Sequence, residues 1–154
     1  MRIRVLAVGK PRDAEAIALH DRYAERIRKL GVAYETDSVP EVKAGGRYSD
    51  EHVRQREGRL LADKLGDRGT TIALDRQGRS FSSETLSKHL QGWSTPIAEF
   101  VIGGPLGLGE EFCERADVLW SLSELTLPHE LARVVLAEQL YRALTLLRGI
   151  PYHK

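Results

Sequence analysis

The sequence predicts an α/β fold with a mostly parallel sheet, and three observations carry that expectation. Short apolar runs of period two are separated by longer stretches whose apolar residues recur at helical spacing, so strands and helices alternate along the chain. At 154 residues the chain is long enough for one domain with a proper core, read here as a single unit over 1–154. A glycine-rich turn, Ile102-Gly103-Gly104-Pro105-Leu106-Gly107-Leu108-Gly109, follows a strand-like run, and open α/β sheets bind ligands at that edge.

The elements follow in order. Arg2-Ile3-Arg4-Val5-Leu6-Ala7-Val8 alternates as a strand, and Gly9-Lys10-Pro11 ends it. Asp13 is a candidate N-cap for a helix carrying Ala16, His20, Tyr23, Ala24, Ile27 and Leu30, with Gly31 as its stop. Val32 to Val39 reads as a second strand, and residues 43–48 as a flexible loop. Ser49, with Asp50 and Glu51, opens a second helix that Gly66 ends. Thr70 to Asp75 reads as a strand, and Arg76-Gln77-Gly78-Arg79 as a turn. A helix from Ser83 to Gln91, a strand from Ile97 to Ile102, a short helix from Glu110 to Ala116 and a strand from Val118 to Ser121 follow. The last helix spans His129 to Arg148, stopped by Gly149 and Pro151.

Composition narrows the function classes. Apolar residues make up 42% and charged residues 29%, as in an ordinary globular protein. Segments of bilayer-spanning length are missing, and the amino terminus does not read as a signal peptide. The single cysteine, Cys113, rules out an internal disulfide and fits a reducing cytoplasm. A formal net charge of +1 argues against a general polyanion binder, so any nucleic-acid contact belongs to a patch or is assembled across subunits.

Three stretches carry chemical content. In the first, Gly103, Gly104, Gly107 and Gly109 let backbone approach a ligand; the plainer reading is a tight strand-to-helix turn. The dinucleotide fingerprint fails there, because Phe112 stands where its third glycine belongs, and no P-loop lysine follows. The second, Ser121-Leu122-Ser123-Glu124-Leu125-Thr126-Leu127-Pro128-His129, is unusually apolar for a connection, with Thr126 a candidate N-cap. It reads either as a buried crossover or as a pocket wall offering backbone groups between leucines, suited to an adenine face. The third is the final helix, apolar on most sides, for which a partner subunit is the natural second cover. Glu138 and Arg142 are spaced to pair along it. Its tail, Pro151-Tyr152-His153-Lys154, combines an aromatic face, an imidazole and a cation; residues alone would make it a frayed end.

Other candidates are weaker. Histidines and Cys113 never fall at metal-ligand spacing, so no metal is expected. Ser80, Ser82 and Ser83 lack the context of a hydrolase nucleophile. Arg22, Arg26 and Lys29 read as a solvated stripe, whereas Arg2, Arg4 and Lys10 are better placed to touch RNA.

Taken together, Val5-Leu6-Ala7-Val8-Gly9-Lys10, Thr71 to Asp75, Phe100 to Leu108, Leu125-Thr126-Leu127-Pro128-His129, Arg133 to Ala143 and the Pro151–Lys154 tail resemble the large-subunit rRNA pseudouridine N3-methyltransferase family, RlmH. The resemblance spans the whole chain. It implies a SPOUT fold with a carboxyl-terminal trefoil knot, a homodimer, and S-adenosyl-L-methionine bound in the knot. The implied reaction is methylation of N3 of a pseudouridine in helix 69 of the large-subunit (23S) rRNA, on assembled ribosomes, with no membrane. Carried over by position, cofactor contacts fall on Leu74, Gly103 and Leu122, Ser123, Glu124, Leu125, Thr126 and Leu127. Substrate-side residues fall on Arg142, Tyr152 and His153, with His129 and Lys10 as further candidates. Some relatives carry an acidic residue where this chain has Leu106. The competing expectation is a ribosome-associated binding protein that keeps the pocket without turnover.

Overall fold

The computed structural model describes residues 1–43 and 45–152. Strands and helices alternate through them as β1 Arg2–Val8, α1 Ala14–Lys29, β2 Ala33–Val39, α2 Asp50–Lys64, β3 Thr70–Ser80, α3 Ser83–Trp93, β4 Ala98–Ile102, α4 Glu110–Arg115, β5 Val118–Ser121 and α5 His129–Leu147. The strands form one sheet in the order β2-β1-β4-β3-β5, and every ladder is parallel.

Period-two alternation sorts the side chains between two layers. Ile3, Val5 and Ala7 join Ala24 and Ile27 of α1, Leu86 and Leu90 of α3, and Leu136, Leu140 and Leu144 of α5. Leu6 and Val8 face the other way, toward Leu61 of α2 and Phe112 of α4. Central β4 is buried at all five positions, as expected of a parallel strand covered on both faces.

The caps are local and explicit. Asp13, Ser49 and Ser82 each accept a backbone N–H from the first turn of α1, α2 and α3, respectively. Gly31 and Gly149, at φ +71° and +63°, sit in the left-handed region just past the ends of α1 and α5.

One expectation fails for a physical reason. The turn placed at Arg76–Arg79 is instead the continuation of β3, which runs to Ser80. Leu74 and Arg79 both register with Trp120, so the extra residues are absorbed as an irregularity in the ladder. Gly78 permits this, because a Cβ there would lie 2.6 Å from the Trp120 backbone nitrogen. The apolar circumference of α5, read as a call for a partner subunit, is largely covered within the chain by the sheet, α1 and α3. Ser83 and Ser87 of α3 donate hydrogen bonds to Gln139 and to the Ala143 carbonyl at 2.7 and 3.0 Å. Leu131, at 48% exposure, remains open on α5. Among the described residues, no helix is long and apolar enough to cross a membrane.

Candidate functional site at the carboxyl edge

All strands point the same way, so the loops after β1, β4 and β5 and the later part of β3 gather at one edge. Leu74, half-buried on β3, pairs with Ile102 on one side and Trp120 on the other. It lies in the layer of α1, α3 and α5, as does half-buried Leu122 just past β5. Gly103 and Leu122 therefore leave β4 and β5 on either side of Leu74, which stays within β3.

The two loops there differ in kind. After β4 the chain folds on itself, with the Gly107 N–H donating to the Gly104 carbonyl at 2.9 Å. A Cβ on Gly103 would lie 2.7 Å from the Gly107 carbonyl carbon, and one on Gly104 would lie 3.1 Å from Glu57 Oε2. The absence of side chains at these two positions serves the loop's own packing. Beneath, buried Glu57 of α2 accepts the Val42 N–H at 3.0 Å, and burial pushes its carboxyl above the usual carboxylate range.

The Ser121–His129 loop has little internal structure. Ser121 Oγ donates to the Ser123 carbonyl and Ser123 Oγ accepts the Leu125 N–H, each at 3.0 Å. The amides of Glu124, Thr126 and Leu127 take no partner within the described residues. Leu125 is 76% exposed, and Glu124 and Thr126 are exposed as well. Thr126 does not cap α5: the cap position falls on Pro128, which has no side-chain cap bond. Two other contacts fix the start of that helix. Arg133 donates to the Val8 and Gly9 carbonyls at the end of β1, and Glu130 accepts the Arg12 and Asp13 N–H groups. Sequence reasoning passed over this clamp; the Glu130–Arg133 spacing near His129 was its only visible sign.

Farther down α5, Arg142 donates through Nε and Nη2 to Glu138 Oε1 at 3.1 and 2.6 Å, which holds its guanidinium firmly protonated. The Tyr152 hydroxyl donates to the same oxygen at 3.1 Å, and its ring meets Tyr141 edge-on at 4.8 Å, beneath the Arg142 guanidinium. Burial, with hydrogen bonds to Tyr23 and Glu138, raises the Tyr152 phenol far above its ordinary value. The tail is thus seated at Tyr152 rather than frayed. His153 lies outside the described residues. Arg26, read as part of a solvated stripe, places its guanidinium 5.6 Å from the Tyr23 ring and 5.7 Å from the Tyr141 ring. Arg4, expected to touch RNA, is instead committed to buried Glu99 at 3.1 Å and to Asp37 at 3.4 Å. Cys113 is half-buried against Asp75, and burial pushes its thiol up to about 11, which suits a packing role.

Two cavities of about 220 and 230 Å³ lie on either side of the sheet, and neither is lined by the residues expected to hold the cofactor. The physical reason is that the leucine loop presents an open surface. Its donor set nonetheless fits S-adenosyl-L-methionine. Three untied amides stand among Leu122, Leu125 and Leu127, which suits the polar edge and apolar face of an adenine. Glu124 and Ser123 add polar groups beside them.

Comparison with known proteins agrees with this architecture. The family described as predicted SPOUT methyltransferase matches residues 1–153. A ribosomal RNA large subunit methyltransferase H from Thioalkalivibrio sulfidiphilus is 40% identical over 156 residues, covering 100% of this chain and 99% of that protein. The protein of the same name from Anaeromyxobacter sp. is also 40% identical, with 100% of both chains covered. Among solved structures, a probable methylase family protein from Haemophilus influenzae superposes with a TM-score of 0.55 at 12% identity, over 99% of this chain and 70% of that one. That likeness speaks to the fold alone. The parallel sheet, the two carboxyl-edge loops and the full-length matches agree: this chain belongs to the SPOUT methyltransferases, in the family of ribosomal RNA large subunit methyltransferase H.

Proposed function

We propose that this chain is the S-adenosyl-L-methionine-dependent enzyme that methylates N3 of a pseudouridine in helix 69 of the large-subunit rRNA, on assembled ribosomes in the cytoplasm. It works as a homodimer of single domains, each closed by a trefoil knot. The observation that carries this reading is the Ser121–His129 loop, whose exposed Leu125 and untied amides stand at the ligand-binding edge of a methyltransferase fold. Support for the knot comes from the strand order: β5 re-enters beside β3, outside β4, after the glycine loop has been laid down.

Leu122 through Leu127, with Leu74 and Gly103, would hold the cofactor. The cofactor supplies a methyl group on a sulfonium, already activated for attack. The protein's remaining work is alignment, which contributes roughly 7–11 kcal/mol in favourable cases. Arg142 stands 13 residues after His129, about 20 Å along the helix axis at the standard rise. Arg142 and Tyr152 are therefore removed from the start of α5, where their own chain's loop ends. We assign them, with His153, to the partner subunit's pocket. There Arg142 fixes a phosphate or carbonyl, Tyr152 packs on the base, and His153 accepts the N3 proton. Half-buried Tyr23, Tyr141 and Arg142 on α1 and α5 also make this face the dimer contact in our reading.

The test uses purified protein, labelled S-adenosyl-L-methionine and unmodified ribosomes. Label should enter the rRNA, and deletion of residues 152–154 should abolish transfer while cofactor affinity stays within about twofold. Cofactor binding without transfer by the intact protein would favour the pocket-bearing binding protein instead. Full activity after the deletion would remove the tail from the mechanism, and a folded, active monomer in sedimentation would remove the shared site.

A further inference from the structure

The layer opposite α1 and α5 holds a groove that neither the cofactor loops nor the tail explains. It runs between α2 and α4 as a cavity of about 220 Å³, lined by Gly58, Ala62 and Phe112, by Arg54, Arg59 and Arg115, and by the carboxylates Asp67 and Glu111. Small lining residues leave width for a flat group, and three guanidiniums outnumber the two carboxylates beside it. Arg54 pairs with Glu51 at 3.0 Å, and Arg115 makes only a long, exposed contact of 4.0 Å with Glu111. Among the described residues, Arg59 makes no ion pair.

An aromatic ridge on the same helix shares Arg59 with the groove. His52, Arg56 and Arg59 recur at i, i+4 and i+7 along α2, so they line one side of the helix. At the top of that ridge, Tyr48 is 42% exposed and stacks on His52 at 4.6 Å with the planes 5° apart. The Arg56 guanidinium lies 5.7 Å from the Tyr48 ring centroid. Lys43 and Arg47 add exposed cations in the same loop. Gly109, which closes the glycine loop, lines the groove as well, so the path leads directly to the carboxyl edge of the sheet.

Aromatic rings interleaved with guanidiniums along a groove suit single-stranded nucleic acid, whose bases stack and whose phosphates pair. Protein partners with acidic side chains would use the cations, yet would leave the stacked Tyr48–His52 pair without a purpose. We infer that the α2–α4 groove and the Tyr48–His52–Arg56 ridge form an RNA-docking surface that seats unpaired nucleotides flanking the target and leads them to the glycine loop. It rests on the rRNA methyltransferase reading, and it explains how a chain with a net charge of +1 concentrates its contact with a polyanion.

The test separates docking from turnover. Equilibrium binding of large ribosomal subunits and of protein-free large-subunit rRNA is measured across a salt series without cofactor, for wild type, Arg59→Ala/Arg115→Ala, Tyr48→Ala and Lys88→Ala. Lys88 is exposed on α3, in the opposite layer, and serves as the control. The arginine pair should weaken binding to both RNAs roughly tenfold and lower the salt slope by about 2. Tyr48→Ala should weaken binding by about tenfold with the slope nearly unchanged. Lys88→Ala should match wild type, and all variants should keep wild-type cofactor affinity and thermal midpoint. In transfer assays the groove variants should raise KM and leave kcat alone. Wild-type binding by both groove variants would overturn the proposal, and so would loss confined to ribosomal subunits, which would assign the groove to a ribosomal protein. Absence of methyl transfer by wild type would sink the enzymatic reading while leaving the binding comparison intact.

Discussion

The loops after β4 and β5 leave the same sheet edge and use their residues in opposite ways. Residues 103–109 fold inward: Gly103, Gly104, Leu108 and Gly109 are buried, and the missing side chains are filled by the loop's own backbone and by Glu57. Residues 124–126 face outward, with Leu125 where a polar residue would be expected, and the Glu124, Thr126 and Leu127 amides take no partner within the described residues. One loop uses its composition for its own shape, whereas in the proposed function the other keeps it for the cofactor. Glycine content by itself therefore does not mark a segment as ligand-facing, and in the proposed function exposed Leu125 is the side chain that the cofactor covers.

The largest effect should follow from disturbing the inward loop. Gly103→Ala sets a Cβ 2.7 Å from the Gly107 carbonyl carbon and 2.9 Å from the Leu108 nitrogen, so the loop backbone must shift. We expect about 3 kcal/mol of destabilisation by urea unfolding, the upper range for overpacking, with cofactor binding lost alongside. Wild-type stability with selective loss of cofactor affinity would reverse the comparison and return Gly103 to direct ligand contact. Next comes the clamp that fixes where the outward loop ends. Arg133→Ala removes donors to the Val8 and Gly9 carbonyls and should cost about 2 kcal/mol. Cofactor affinity should fall with it, because α5 would no longer be tied to β1; unchanged affinity would mean that the loop holds its shape without the clamp.

Leu125→Ser sharpens the contrast from the other side. This side chain is mostly in water, so folding stability should stay within about 0.5 kcal/mol. Calorimetric affinity for S-adenosyl-L-methionine should fall roughly tenfold, the scale of a leucine buried only upon binding. If stability dropped and affinity held, the loop would be a structural crossover after all.

The fold was legible because each signal is local. Alternation in Ile3, Val5 and Ala7, the caps at Asp13 and Ser49, and stops at Gly31 and Gly149 are decided by neighbours in sequence. What sequence misjudged depends on distant pairing. Gln77-Gly78 looks like a turn until β5 arrives beside it, and Arg4 looks free until Glu99 is placed under it from a strand 95 residues away. The α2–α4 groove left no periodic trace, because Arg59 and Arg115 become neighbours only when two helices pack on one face. The leucine loop, by contrast, is conspicuous in the sequence itself, since Leu122, Leu125 and Leu127 within one short connection demand a physical reason.

The smallest effect expected concerns Glu57, the carboxylate beneath the inward loop. At 3% exposure it accepts the Val42 N–H, and it stands 3.1 Å from where a Gly104 side chain would begin. Burial raises its pKa, the Val42 bond opposes that, and the Glu41 charge adds to it. Between the unfolded and folded values the native state therefore binds more protons than the unfolded state. Linkage makes stability fall as pH rises through that window: the contribution is fully present below the unfolded value and gone above the folded one. Glu57→Gln keeps the acceptor and removes the titration, so its thermal midpoint should depend less steeply on pH than wild type as pH rises above the ordinary carboxylate value of 4.5. At neutral pH the variant should be the more stable of the two, read as a higher thermal midpoint. Comparing the two proteins cancels the opposite slope from Asp37, whose carboxyl is held low by the bond from Lys64. Parallel pH profiles would show that Glu57 is already ionised and satisfied in place. The inward loop would then rest on a fixed charge rather than on a carboxyl that prefers its proton.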